Sequence, residues 1–278
     1  MKPAHLLALL PRKPREFVDR VACSLELRLD PYLRARPNYS TEGWQAVLSR
    51  ISQVLRADMS EMMAEDSVSE IESTVRAQLR ALPHEAPFPS FHNGDFRMAR
   101  LSYALVRALR PCTVVETGVC YGVTSAFILK ALERNGAGTL RSIDLPPLGR
   151  NATDFVGWVV PYTLRSRWQL FLGPSRKWLP RIAEDVKGVD MFLHDSLHTY
   201  RNIRGELRTI TPKLCQQSVV VVDDIEANSA FRDWVAQSQP AYGAAVAEEN
   251  KQSLLGIGLF TAGGQHVTGP GGGTVKRD

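Results

Sequence analysis

Residues 112–147 read "CTVVETGVCYGVTSAFILKALERNGAGTLRSIDLPP": a short apolar run, two glycines four apart, a helical stretch and a second apolar run ending in aspartate. Strand, tight turn, helix and strand make one βαβ unit, the building block of a parallel sheet covered by helices. In open sheets of this kind, ligands sit at the carboxyl ends of the strands, near the point where strand order reverses. Gly118 and Gly122 let the chain turn tightly and let a ligand approach its backbone. The helix starting near Thr124 presents free N–H groups to an anionic part of that ligand. Asp144, at the end of the second strand, can accept two hydrogen bonds from a ribose diol, which indicates a nucleoside cofactor.

The turn also narrows the choice of nucleoside. In the dinucleotide fingerprint G-x-G-x-x-G the second glycine lets the backbone approach a pyrophosphate, and here Cys120 stands in its place. Glu116 would repel a pyrophosphate but suits a cofactor carrying an amine and a sulfonium. The plainer alternative is an α/β turn with a capping threonine and an incidental glutamate.

Outward from this unit the rhythm continues. Apolar strands are expected at 113–117, 139–143, 168–172, 189–193 and 218–222, with 253–260 closing the series and pairing with 244–249. Near-continuous apolar strands alternating with helices require a sheet buried on both faces. Tyr200, Ile203, Leu207, Ile210 and Leu214 mark the helix after the fourth strand. Upstream, Trp44, Val47, Leu48, Ile51 and Leu55 form one helical stripe, and Ile71, Val75, Leu79 and Leu82 another. Residues 1–40, with prolines at 3, 11, 14, 31 and 37, read as irregular with short helical pieces. The expected organisation is a helical N-terminal cap (1–95), a doubly wound, mostly parallel seven-stranded α/β domain (96–261) and a flexible glycine-rich tail (262–278).

A second constellation lies at the ends of the fourth and fifth strands, in "HDSLHTY" (194–200) and "VVDDI" (221–225). In a doubly wound sheet these strands lie beside the first, so Asp195, Asp223 and Asp224 can converge. Three oxygen ligands suit Mg²⁺ or another oxygen-preferring divalent cation, although single aspartates at strand ends also cap helices. His198 is a candidate general base or an orienting partner of Asp195. His194 reads as structural and Tyr200 as packing. The loop 88–96, with His92, either covers a ligand or packs the N-terminal helices on the sheet. Trp158, Trp168 and Trp178 could shape an acceptor pocket or serve as rim packing.

"VVETGVCYGVTS" followed by "SID" resembles the first two motifs of class I S-adenosylmethionine (SAM)-dependent methyltransferases. The E-x-G-x-x-x-G-x-[ST] form is similar to that of catechol, caffeoyl-CoA and macrocin-type O-methyltransferases, with further likeness to cephalosporin hydroxylase-type members. The resemblance implies a Rossmann-like fold and SAM held by Glu116, Thr117, Gly118, Tyr121, Gly122, Thr124, Asp144 and Ser175. It implies a metal held by Asp195, Asp223 and Asp224, with His198 and Asp195 at the chemistry. Such proteins often carry an acidic residue after the third strand; Gly173, Pro174 and Ser175 stand there instead. The expected activity is metal-assisted O-methylation of a small molecule or glycoside. A metal-independent enzyme using His198, an oxidative relative and a non-catalytic member remain as alternatives.

The bulk numbers fit such a protein. The 278 residues can bury a full core, and 44% hydrophobic with 23% charged residues is ordinary. The net charge of +5 is dispersed, partly over "PRKPR" (11–15) and "YLRARP" (32–37), without a basic stripe for nucleic acid. A solvated face is the first reading of that scatter, and an anionic surface the second. The four cysteines form no C-x-x-C pair, and no apolar run is long enough to span a membrane, so a cytoplasmic location is expected. The apolar stripes of the N-terminal helices suit a homodimer.

Overall fold

The computed structural model describes residues 6–7, 9–11, 13–33, 37–89, 94–149, 151–249 and 252–261. Before the sheet come helices α1 (Pro14–Leu33), α2 (Trp44–Leu55), α3 (Met59–Met63), α4 (Asp66–Arg80) and α5 (Phe96–Leu109). Then follow β1 (Thr113–Thr117), α6 (Val123–Asn135), β2 (Thr139–Asp144), β3 (Trp168–Leu172), α7 (Ser175–Asp185), β4 (Val189–His194), α8 (Tyr200–Ile210), β5 (Leu214–Val222) and α9 (Ala230–Ser238). The hairpin β6 (Tyr242–Ala247) and β7 (Leu254–Phe260) completes the order.

The seven strands form one sheet in the order β3-β2-β1-β4-β5-β7-β6. β1 to β5 run parallel, and β7 is antiparallel to both β5 and β6. Strand order therefore reverses between β1 and β4, where the glycine turn and the aspartate loops meet. Successive strand residues point to opposite faces. Val114, Met191, Leu193, Val219 and Val221 pack with α2, α4, α5 and α6. Val115, Phe192, Val220 and Val222 pack with α7, α8 and α9. The doubly wound, mostly parallel seven-stranded sheet expected from the apolar rhythm is present, with helices N-terminal to it. Its edge is extended by Thr41, which bridges Ala245, while the Glu42 N–H donates to the Ala245 carbonyl at 2.9 Å.

Two local readings need correction. Residues 14–33 are one 20-residue helix, not short pieces. Pro14 occupies the first helical position, where a missing N–H costs nothing, and Pro31 lies in the last turn. β5 starts at Leu214, because Gln216 and Gln217 extend the strand as an exposed polar segment that carries no apolar signal. The expected flexible tail (262–278) and His92, within 90–93, lie outside the described residues.

Candidate functional site

The turn after β1 is held by contacts that explain its glycines. Gly118 adopts φ +87°, and a Cβ there would lie 1.7 Å from the Asp195 carbonyl oxygen. The Gly118 N–H donates to Ile143 O at 2.8 Å, and the Asp195 N–H to Thr117 O at 2.7 Å, so this crossing locks β2, β1 and β4 together. Gly122, at φ +90°, abuts Gly157 and Val160. Its freedom lets the 157–160 loop pack against the turn. Asp144 Oδ2 accepts the N–H groups of Val119 and Cys120, both at 2.8 Å. Oδ1 makes no hydrogen bond among the described residues. Burial raises the Asp144 carboxyl to about 6, against the pull of the two backbone N–H groups.

A cavity of about 370 Å³ opens at these strand ends. Of the expected cofactor residues, Gly118, Asp144 and Ser175 line it; Glu116, Thr117, Tyr121, Gly122 and Thr124 do not. Tyr121 lies behind it, its hydroxyl bonded to both N–H and C=O of Phe88, which with Pro87 and Pro89 forms the rim. The 87–89 part of the aromatic loop thus does border a ligand-sized space. Thr124 Oγ1 is buried with no hydrogen-bond partner among the described residues. None of Trp158, Trp168 and Trp178 lines the cavity; the Trp168 indole is packed on Gly157 and bonded to Ser142. Unexpected by sequence, Cys23 and Glu26 of α1 also line it.

Glu116 lies beneath the turn, where its Oε2 accepts from Ser125 Oγ at 2.7 Å and Ser142 Oγ at 2.6 Å. Complete burial raises its carboxyl to about 8, despite the two serines, with Asp195 and Asp144 adding to the rise. Because the folded value exceeds the ordinary 4.5, its stabilising contribution is full below 4.5 and is lost as pH rises through about 8. Glu116→Gln is therefore expected to flatten the alkaline fall in stability, by on the order of 4 kcal/mol between acid and alkaline conditions. Urea unfolding of both proteins at the two ends of that range checks this. A wild-type minus variant difference that does not change with pH would mean that Glu116 is ionised in the fold.

Thr117 and the His194 ring converge on Glu206, a buried α8 residue that the apolar stripe concealed. Thr117 Oγ1 donates to Oε2 at 2.6 Å and His194 Nδ1 lies 2.7 Å from it, while Ser196 and Asn202 hold Oε1. Burial pushes this carboxyl up, yet His194 and the hydrogen bonds prevail and hold it at about 2. Glu206 thereby fixes the loop that carries Asp195. His194 is structural in this sense, as its burial and bonding require.

The carboxylates after β4 and β5 do meet. Ligand atoms of Asp195, His198 and Asp223 lie within 4.8 Å of one another, as do those of Asp223, Asp224 and Glu248. Glu248, which follows β6, had no motif to announce it. His198 Nδ1 lies 2.7 Å from Asp224 Oδ2, and Nε2 3.6 Å from Asp195 Oδ1. Burial opposes protonation of this ring, but Asp195, Asp224 and Asp223 raise its value well above 6.5. Burial, then Asp195 and Glu248, raise Asp223 well above the usual carboxylate range. Three carboxyls thus face the His198 ring and Glu248 joins them through Asp223 and Asp224, a donor set of hard oxygens with a deficit of positive charge. A divalent cation fits it.

A sequence profile of the methyltransferase-domain family matches residues 115–225, from β1 through Asp223 and Asp224 after β5. No curated protein matches the chain significantly. Solved structures share the fold at low identity. An O-methyltransferase from Bacillus cereus in complex with S-adenosylhomocysteine (SAH) superposes with a TM-score of 0.53 at 13% identity, covering 78% of this chain and 98% of that one. The SAH-bound methyltransferase PaMTH1 from Podospora anserina gives 0.51 at 10% identity, covering 80% and 99%. The O-methyltransferase TomG from Streptomyces achromogenes, in complex with SAM, gives 0.50 at 16%, covering 79% and 97%. The strand order and these superpositions show the class I fold of the methyltransferases, and residues 115–225 of the chain resemble their methyltransferase domain.

Proposed function

We propose that this protein is a SAM-dependent O-methyltransferase, assisted by a divalent cation and acting on a hydroxyl of a small molecule or glycoside. The observation that carries the reading is the crossing at Gly118. There the loop bearing Asp195 lies directly on the turn that lines the cavity, and Ser196 and Leu197 of the same loop line it too, so a donor in the cavity would lie beside the loop that carries Asp195 into the carboxylate cluster. The O-methyltransferases of the same fold that bind SAM or SAH support the choice of cofactor and of oxygen as acceptor.

SAM would supply an electrophilic methyl group in this cavity. Asp144 Oδ1, the oxygen not bonded to the turn, suits a ribose diol. The orphaned hydroxyl of Thr124 offers a donor close to the Asp195 carboxylate, since both approach the space beside Gly94. Asp195, Asp223 and Asp224 would hold the cation, with His198 and Glu248 beside them, and as a Lewis acid it would lower the pKa of a bound acceptor hydroxyl. Glu206 keeps the Asp195 loop in place, and α1 with Phe88 limits water at the cavity. A metal-free route through His198 needs a neutral imidazole, and Asp195 and Asp224 both favour the protonated ring.

Metal-stripped protein titrated with SAH and with NAD, each with and without Mg²⁺, tests the reading by thermal shift. SAH is expected to stabilise and NAD not; a ligand at a hundred times its dissociation constant adds about 2.7 kcal/mol. Turnover with an acceptor is expected to stop in EDTA. No shift with SAH would remove the reading.

A further inference from the structure

α1 is amphipathic the wrong way round for a helix covering a cavity. Its acidic face is turned inward: Glu26 accepts from Thr199 Oγ1, Asp30 from the Tyr200 N–H at 3.1 Å, and Asp19 pairs with Arg176. Glu16 pairs with Arg20, whose guanidinium also donates to Pro146 O at 2.9 Å. Outward, at helical spacing, stand Val18, Leu25, Leu29 and Tyr32, exposed by 60%, 52%, 51% and 88%. One helical face is therefore an apolar stripe with no partner among the described residues, with Leu10 exposed just before it.

The charges left unpaired in the groove beside the stripe are of one sign. An open groove of about 1090 Å³ follows the N-terminal half of α1, and its lining joins Lys13, Arg15 and Val18 to Lys177 and Arg181 of α7. The two acids in that lining, Glu16 and Asp19, are engaged in the ion pairs with Arg20 and Arg176. Arg15, Arg28, Lys177 and Arg181 form no ion pair among the described residues, and Lys177 and Arg181 flank the Trp178 indole at 4.9 and 5.3 Å from its centroid. Apolar residues on one stripe, cations at its margins and acids withdrawn from the surface are the chemistry of a helix that lies in a lipid interface.

We propose that the outer face of α1, with Lys177 and Arg181, docks this protein on an anionic lipid surface. No helix of the described residues is long and apolar enough to cross a membrane, so the contact is a peripheral one. A second copy of the chain is the rival occupant. Two such faces brought together would oppose Arg15 and Arg28 to their own copies, with no outward carboxylate on α1 to answer them. An anionic bilayer answers every one of these charges.

Flotation of the full chain with lipid vesicles decides the matter. Vesicles of phosphatidylcholine with phosphatidylglycerol are expected to carry the protein at low salt, with at least tenfold weaker association to phosphatidylcholine alone and progressive loss as salt rises. Lys177→Glu/Arg181→Glu is expected to weaken association by at least the roughly fivefold per cation that a surface lysine or arginine contributes. Leu25→Glu/Leu29→Glu is expected to abolish it, with circular dichroism unchanged. Equal binding to both vesicle types, or full binding by the Leu25/Leu29 variant, would overturn the proposal. So would light scattering that finds a dimer in the wild type, a monomer in that variant and no vesicle association by either.

Discussion

Asp223→Asn is expected to lower methyl transfer by about 10²–10³-fold while leaving SAH affinity within about twofold. The magnitude follows from losing several kcal/mol of Lewis-acid assistance, at 1.36 kcal/mol per factor of ten. Asp223 follows β5, is fully buried, and contributes a ligand atom to both groups of the cluster. Asparagine keeps its shape and removes its charge, so the fold is expected to be retained while a bound cation would lose the donor common to both groups. The direction of the Asp223 shift adds a second consequence. Burial, Asp195 and Glu248 raise this carboxyl well above the usual carboxylate range when no cation is bound. Removing the ionisable group should therefore stabilise the metal-free protein, most clearly at alkaline pH, where the wild type must either lose that proton or keep it against the solvent. Turnover, SAH titration and thermal melting in EDTA together form the test. Undiminished turnover in the variant would exclude a catalytic cation at Asp223, and wild-type turnover unaffected by EDTA would exclude it altogether.

The legible part of this molecule was the part whose signal is local. The β1 turn and Asp144 lie within one βαβ unit, and the aspartates close strands whose apolar runs place their ends at one sheet edge. Glu206 and Glu248 escaped notice for different reasons. Glu206 shares a helical face with Ile203, Leu207 and Ile210, and a charge there is visible only if one asks what an apolar face would do with it. Glu248 reaches Asp223 only because β7 returns between β5 and β6, a pairing order that no local pattern fixes. α1 was missed because periodicity searches for an apolar face and assigns it inward. Here the inward face is polar, and partners such as Pro146 and Tyr200 lie 126 and 170 residues away. The packing of Gly122 on Gly157 and Val160 escaped notice on the same ground, since both neighbours are distant in sequence.

Gly118→Ala is expected to cost on the order of 2–6 kcal/mol of stability and to abolish both SAH binding and turnover. Two independent terms combine. A non-glycine residue at φ +87° costs about 1–3 kcal/mol, and overpacking a close contact a further 1–3 kcal/mol. The contact is with backbone: the added Cβ would lie 1.7 Å from Asp195 O and 2.3 Å from its carbonyl carbon, so no side-chain rotation can relieve it. Relief requires the loop after β4 to lift, which breaks the Asp195 N–H bond to Thr117 O and carries Asp195 and His198 away from Asp223 and Asp224. Gly122→Ala supplies the contrast. At φ +90° it meets comparable backbone strain, but its steric conflict is with Gly157 Cα and Val160 Cγ2, both at 2.8 Å, away from the carboxylates. That variant should lose stability yet retain Mg²⁺-dependent turnover in the fraction that stays folded. If the two variants instead lost stability and activity in the same proportion, the crossing at Gly118 would be a folding element alone, and the coupling between cofactor turn and carboxylate cluster would have to arise elsewhere.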